Sequence, residues 1–285
     1  SVVAHGLHWN KGDNIVIPKQ EFPSNRVVWQ SLEPQGVEVR LVDISVGNPE
    51  QALIDAMDQH TRLLSCSAVQ YADGMRMHLD ILGDYCKAND VLFCVDAIQQ
   101  LGALAFDVQQ CSADIVVADA HKWMLGPEGI ALFYCAPHVR EQLTLHQYGW
   151  HMVENLFDFD AQDWEPAHNA RRFECGSANM IGIHALHASM HLFQEIGMET
   201  ISRQVIQHSQ HMINLIDRNK KLDLLSSREE SRLSGIITFC HHKIDPALLH
   251  KRLSELGVIS ATRGGGVRFS PHFHNQSWEL DHIFH

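Results

Sequence analysis

The chain has 285 residues, with 22 lysines and arginines against 34 aspartates and glutamates, for a formal net charge of −12. Apolar residues at 45% and charged ones at 20% exclude a disordered or collagen-like chain, and the acidic balance argues against a general nucleic-acid binder. The 21 histidines would reverse the sign of the charge if all were protonated.

Short apolar runs alternate with amphipathic segments over the first two-thirds of the chain. Strands are predicted at 14–18, 37–42, 62–69, 91–96, 113–118 and 130–135. Helices are predicted at 25–35, 49–59 and 78–89, the last with Leu79, Leu82 and Cys86 at helical spacing. This alternation implies an α/β fold, with a mostly parallel sheet covered by helices on both faces. Ligands of such sheets bind beyond the C-terminal ends of the strands. A long helical stretch follows at 181–218, interrupted only near Gly197. Strands at 234–240 and 266–270, with helices at 246–256 and 277–284, then suggest a small C-terminal α+β domain. The expected division is therefore 1–180 for a large domain and 181–285 for the connecting helix and small domain.

The seven cysteines are dispersed without a C-x-x-C pair, which suggests reduced thiols and a cytoplasmic enzyme. No apolar run reaches the length of a membrane span, and Ser1–Asn10 lacks the features of a signal peptide. His184, His187 and His191 share one helical face. Without a carboxylate or cysteine to complete a site they read as a solvated face, and no metal is expected.

The densest chemistry lies in V-D-A-I-Q (Val95–Gln99) and A-D-A-H-K-W-M-L-G-P-E-G (Ala118–Gly129). Asp96 ends a strand predicted to be buried, where a carboxylate needs a cationic partner. Lys122 follows the next strand, where partial desolvation would free its amine for a Schiff base with a carbonyl cofactor. Each residue alone also has a plainer reading, Asp96 as a helix cap and Lys122 as a solvated lysine.

These segments resemble pyridoxal-phosphate enzymes of fold type I in the class V aminotransferase family, which includes cysteine desulfurases, selenocysteine lyases and isopenicillin epimerase-like proteins. Gly12–Pro18 with Glu21–Asn25, Arg172–Asn179 and Val267–Asn275 carry the resemblance along nearly the whole chain. It implies a seven-stranded-type large domain and a pyridoxal-phosphate-dependent transferase or lyase that acts on a small amino-acid substrate. It also implies a homodimer with shared sites.

By the same resemblance, Lys122 holds the cofactor and shuttles the substrate's α-proton. Asp96 partners the ring nitrogen, Gln99 the ring's phenolic oxygen and Phe22 its face. His121 and Ser177 reach phosphate, Ser177 that of the other subunit, and Arg268 takes the substrate carboxylate. Gln70 and Tyr71 lie near a further ring-oxygen contact. Plainer alternatives stand beside these: Arg268 as a salt-bridge partner, Ser177 as a helix cap, Phe22 as core and His121 as an interior histidine.

The departures shift the expected chemistry. Phe22 replaces a histidine, Asp119 a hydroxyl residue, and no cysteine lies between Arg263 and Arg268, where desulfurases carry their nucleophile. An aminotransferase, epimerase or simple lyase is thus expected over a desulfurase. The family carries a further N-terminal segment, of which Ser1–Lys11 resembles only the end. A truncated chain serving as a binding or scaffolding subunit is therefore the alternative.

Overall fold

The computed structural model describes residues 1–284. Among them, a six-stranded sheet forms the larger layer. Its strands are β1 (Asn14–Pro18), β2 (Glu38–Val42), β3 (Thr61–Ser67), β4 (Leu92–Asp96), β5 (Ile115–Asp119) and β6 (Ala131–Cys135), in the order β2-β1-β3-β4-β5-β6. All pairings are parallel except that of β5 with β6. The sheet therefore has six strands where the resemblance implied seven.

Alternation along the strands feeds two cores. Ile15 and Ile17 pack on one face with Leu63 and Ile115; Val16 packs on the other with Leu64, Cys66 and Val95. The first face is covered by α1 (Val2–Gly6) and α2 (Ser24–Gln30), through Val3, Ala4 and Trp29. The second is covered by α3 (Pro49–Asp55) and α4 (Leu79–Ala88), through Leu53, Leu79, Leu82 and Cys86. Asn48 caps α3 by accepting from the Gln51 N–H at 3.0 Å, with Pro49 in the first turn. A single turn, α5 (Pro137–Arg140), follows β6.

The stretch predicted as one helix is two, α6 (Met180–Ile196) and α7 (Met198–Arg218). Gly197, at φ 85°, ends the first: it takes a left-handed backbone that a side chain disfavours. Asn179, rather than Ser177, caps α6, its side-chain oxygen accepting from the Gly182 N–H at 3.0 Å.

The C-terminal part holds a second, antiparallel sheet of four strands, not the two expected. They are β7 (Leu222–Leu224), β8 (Ile237–His241), β9 (Ala261–Arg263) and β10 (Gly266–Phe269), in the order β7-β8-β10-β9. Helices α7, α8 (Pro246–Glu255) and α9 (Ser277–Ile283) cover it through Met212, Ile213, Ile216, Leu253 and Leu280. A further apolar cluster joins Val69, Leu104 and Trp123 to Phe193, Val205 and Ile236. Among the described residues no helix is long and apolar enough to cross a membrane.

Strand order in the large sheet reverses between β1 and β3. Chain crossing away on both sides opens a crevice at the C-terminal strand ends, where ligands of open parallel sheets bind. Asp96, at the end of β4, and Phe22, just past β1, lie at those strand ends.

Candidate active site

The crevice is organised by a carboxylate to which sequence reasoning gave no role. Glu21, just past β1, is 3% exposed. It accepts hydrogen bonds from the Ser67 N–H (2.6 Å) and hydroxyl (2.5 Å), the Gln70 amide (3.1 Å) and the Asn25 amide (2.9 Å). Four donors replace the water that burial removes, so the charge needs no cation. They tie the ends of β1 and β3 to the start of α2. The one local signal was the i, i+4 spacing of Glu21 and Asn25.

Asp96 is the last residue of β4. One carboxylate oxygen accepts from the Ile98 N–H at 3.0 Å. Burial pushes its carboxyl up to about 6, helped by the Glu21 and Asp119 charges and opposed by the Ile98 N–H and Lys122. No cation lies within ion-pairing distance of it among the described residues, and Lys122 is farther than 4 Å away. The carboxylate thus lacks the partner its burial demands.

Lys122 sits in a tight loop after β5. The Leu125 N–H donates to the Lys122 carbonyl at 3.0 Å, and the Gly126 N–H to the Ala120 carbonyl at 2.9 Å. Trp123 and Met124 anchor this loop in the core, leaving Lys122 half-buried beside them. Burial lowers its amine pKa; Asp96 opposes that shift, while Arg268 and Arg263 reinforce it. Its Nζ lies 5.8 Å from the centre of the Phe22 ring. Phe22 is 41% exposed and meets Tyr71 edge-to-face at 5.2 Å. The Arg268 Nη1 donates to the Tyr71 carbonyl at 2.6 Å, and its buried Nε has no hydrogen-bond partner. Lys122, Asp96, Phe22 and Arg268 are therefore brought to one place.

The remaining predicted residues are placed less simply. Gln99 is buried, but its carbonyl oxygen accepts from the Trp123 indole N–H at 2.9 Å, leaving only its amide NH₂ for a ligand. His121 is exposed. Ser177 borders a cleft of about 1000 Å³ that is also lined by Asp96, Asp119 and Cys175. Asp119 is exposed at that cleft, so a carboxylate stands where the resemblance led us to expect a phosphate-binding hydroxyl. His184, His187 and His191 are all exposed, and no group of three or more potential ligands among the described residues is placed to hold a metal ion.

Comparison with known proteins gives a consistent family. The model described as "Aminotransferase class-V" matches residues 1–276. A probable cysteine desulfurase of Methanothermobacter thermautotrophicus is 28% identical over 301 aligned residues, covering 98% of this chain and 74% of the relative. The apo structure of a cysteine desulfurase from Thermococcus onnurineus NA1 superimposes with a TM-score of 0.90 at 23% identity, over 99% of this chain and 74% of that one. A mutant of the lyase C-DES, with glycine covalently linked to its pyridoxal-phosphate cofactor, gives a TM-score of 0.91 at 20% identity, over 99% of this chain and 76% of that one. The two structural likenesses concern the fold.

Proposed function

The chain belongs to the aminotransferase class-V family, and we propose that it is a pyridoxal-phosphate-dependent transferase or lyase that acts on an amino acid and holds its cofactor on Lys122. The observation that carries this reading is the placement of an amine and a carboxyl, neither in an ion pair, at one strand-end crevice. Lys122 is a half-buried amine with a lowered pKa; Asp96 is a largely buried carboxyl whose pKa is raised and which has no cation at ion-pairing distance among the described residues.

The residues fit the cofactor. An unpaired carboxylate suits a protonated ring nitrogen, and a half-exposed phenyl ring suits a planar heterocycle. When bound, pyridoxal phosphate supplies an electron sink for the bonds at the substrate's α-carbon. Asp96 would hold a proton on the ring nitrogen, Phe22 would pack against the ring, and the NH₂ of Gln99 would serve its oxygen. Lys122 Nζ takes the proton from the substrate α-carbon and returns it, a role suited to an amine with a lowered pKa. Arg268 receives the α-carboxylate, consistent with its unpartnered Nε. His121 and Ser177 are assigned to phosphate.

Within the family we favour an aminotransferase, epimerase or simple lyase over a desulfurase. Residues 263–268 hold two arginines, three glycines and a valine, so no cysteine lies in the segment that leads to Arg268. Five of the seven cysteines are buried, and burial pushes their thiols up, which makes them poor nucleophiles. The shifted amine of Lys122 and carboxyl of Asp96, together with the unpartnered Nε of Arg268, favour an enzyme over a scaffolding subunit. We further propose a cytoplasmic homodimer, each chain of which divides into a large domain, 1–180, and a connecting helix with a small domain, 181–285. Ile181 (85% exposed) and Met180 (56%) would pack at the subunit interface.

Titrating the purified protein with pyridoxal phosphate tests this reading. A saturable visible absorption band is expected in wild type and is lost in Lys122→Ala. A wild-type protein with no such band would contradict it.

A further inference from the structure

The hairpin of β9 and β10 carries two arginines. Gly266 stands opposite Arg263, and Ala261 opposite Arg268. Directly opposed residues, and residues two apart on one strand, share a face of the sheet. Arg263 and Arg268 therefore project from the same face. Val267, between them in register, is fully buried in the core on the other face.

The hairpin turn packs beside the Lys122 crevice. A side chain at Gly264 would meet the Ala72 carbonyl at 3.1 Å, next to Tyr71, whose own carbonyl holds Arg268. Arg263 is close enough that its charge acts on both Arg268 and Lys122. Neither guanidinium has a carboxylate partner among the described residues, although six ion pairs employ other arginines. Arg263 donates only to the neighbouring Thr262 carbonyl, at 2.8 Å. A chain of net charge −12 thus gathers three unpaired cations at one crevice. One anion on the substrate would leave Arg263 unanswered.

We infer that Arg263 sets substrate specificity: it receives a side-chain carboxylate of a dicarboxylic amino acid whose α-carboxylate lies on Arg268. This rests on the proposed function above. A guanidinium presents paired N–H donors that match a carboxylate, and neighbouring cations steer a dianion toward them. Alanine and serine offer no group for that second fork.

Two arms test the inference. In the first, the pyridoxal-phosphate-loaded protein is titrated with aspartate, glutamate and alanine, following the visible band. Wild type is expected to bind one of the acidic amino acids at least about tenfold tighter than alanine, the scale of one charge-assisted hydrogen-bonded contact. Arg263→Met should collapse that ratio toward one, and Arg263→Lys should restore part of it. In the second arm, succinate should raise the melting temperature of the cofactor-free wild type, and Arg263→Met should lose most of that shift. An acidic-to-neutral ratio near one in wild type, or an unchanged ratio in Arg263→Met, would overturn the inference while leaving the functional reading intact. If pyridoxal phosphate gives no band, the functional reading falls and the succinate arm alone decides: equal shifts in wild type and variant would overturn the inference.

Discussion

The imidazole of His272 hydrogen-bonds the carbonyl of Trp123, the residue directly after Lys122, with its Nε2 2.8 Å from the oxygen. The Phe273 N–H donates to Nδ1 at 2.8 Å, so the proton of the neutral ring sits on Nε2 and is donated to that carbonyl. Burial lowers the pKa of His272 and keeps it in this form. The small sheet thereby holds the lysine loop: β10 supplies Arg268, and four residues later His272 fixes the neighbour of Lys122.

His272→Leu should leave the Trp123 carbonyl unpaired and cost about 1–3 kcal/mol of stability. It should also weaken pyridoxal-phosphate binding, because the Lys122 loop loses its tether. His272→Gln keeps a donor and should recover part of both. Thermal unfolding and cofactor titration of the two variants check this; equal losses in both would rule out the donated hydrogen bond as the cause.

Trp123 is confined from a second side. A Cβ at Gly235 would collide with its indole. Gly235→Ala should therefore displace Trp123, destabilise the fold by about 1–3 kcal/mol through overpacking, and lower cofactor affinity. Unaltered tryptophan fluorescence and unaltered affinity would contradict that coupling.

Asp96 burdens the cofactor-free fold. Folding raises its pKa from 3.8 to about 6. Between those values the folded state binds more protons than the unfolded one, so stability falls as pH rises through that window. Above it, Asp96→Asn should be more stable than wild type by on the order of 2–3 kcal/mol. The two should converge below the lower value. The same variant should bind pyridoxal phosphate less tightly. Unfolding curves across pH, without cofactor, test the crossover; a constant difference at all pH values would contradict it.

Glu50 and Arg232 form a buried bidentate pair at 2.5 and 2.6 Å, and Glu50 also accepts from the His78 N–H at 2.8 Å. Burial alone would raise the Glu50 carboxyl. The Arg232 guanidinium and the His78 N–H outweigh it and hold the pKa below 4.5. The resulting stabilisation is present above that ordinary value and is lost as pH falls through the folded one. Arg232→Met should cost roughly 3–5 kcal/mol at neutral pH by stranding the carboxylate. The double variant with Glu50→Leu should recover much of it. Denaturant unfolding of the single and double variants measures this.

Sequence reasoning reached furthest where signals were local. The strand at 14–18 was placed residue for residue. Asp96 and Lys122 were legible because each follows a β-branched apolar run that ends at the ligand-binding edge. Glu21 was not, because its donors Ser67 and Gln70 lie 46 and 49 residues away. The Glu50–Arg232 pair spans 182 residues. Strands β7 and β9, three residues each, are too short for an alternating pattern and exist by pairing with longer neighbours. The motif points Gln99 at the cofactor, but only the fold reveals that its carbonyl oxygen accepts from the Trp123 indole.

Lys122 is proposed as the residue that bonds pyridoxal phosphate. Reduction of the cofactor-saturated protein with borohydride, followed by digestion and mass mapping, tests it most directly. One pyridoxyl group per chain is expected, on the peptide that contains Lys122. A label on any other lysine, or no label on a folded protein at saturating cofactor, would contradict it.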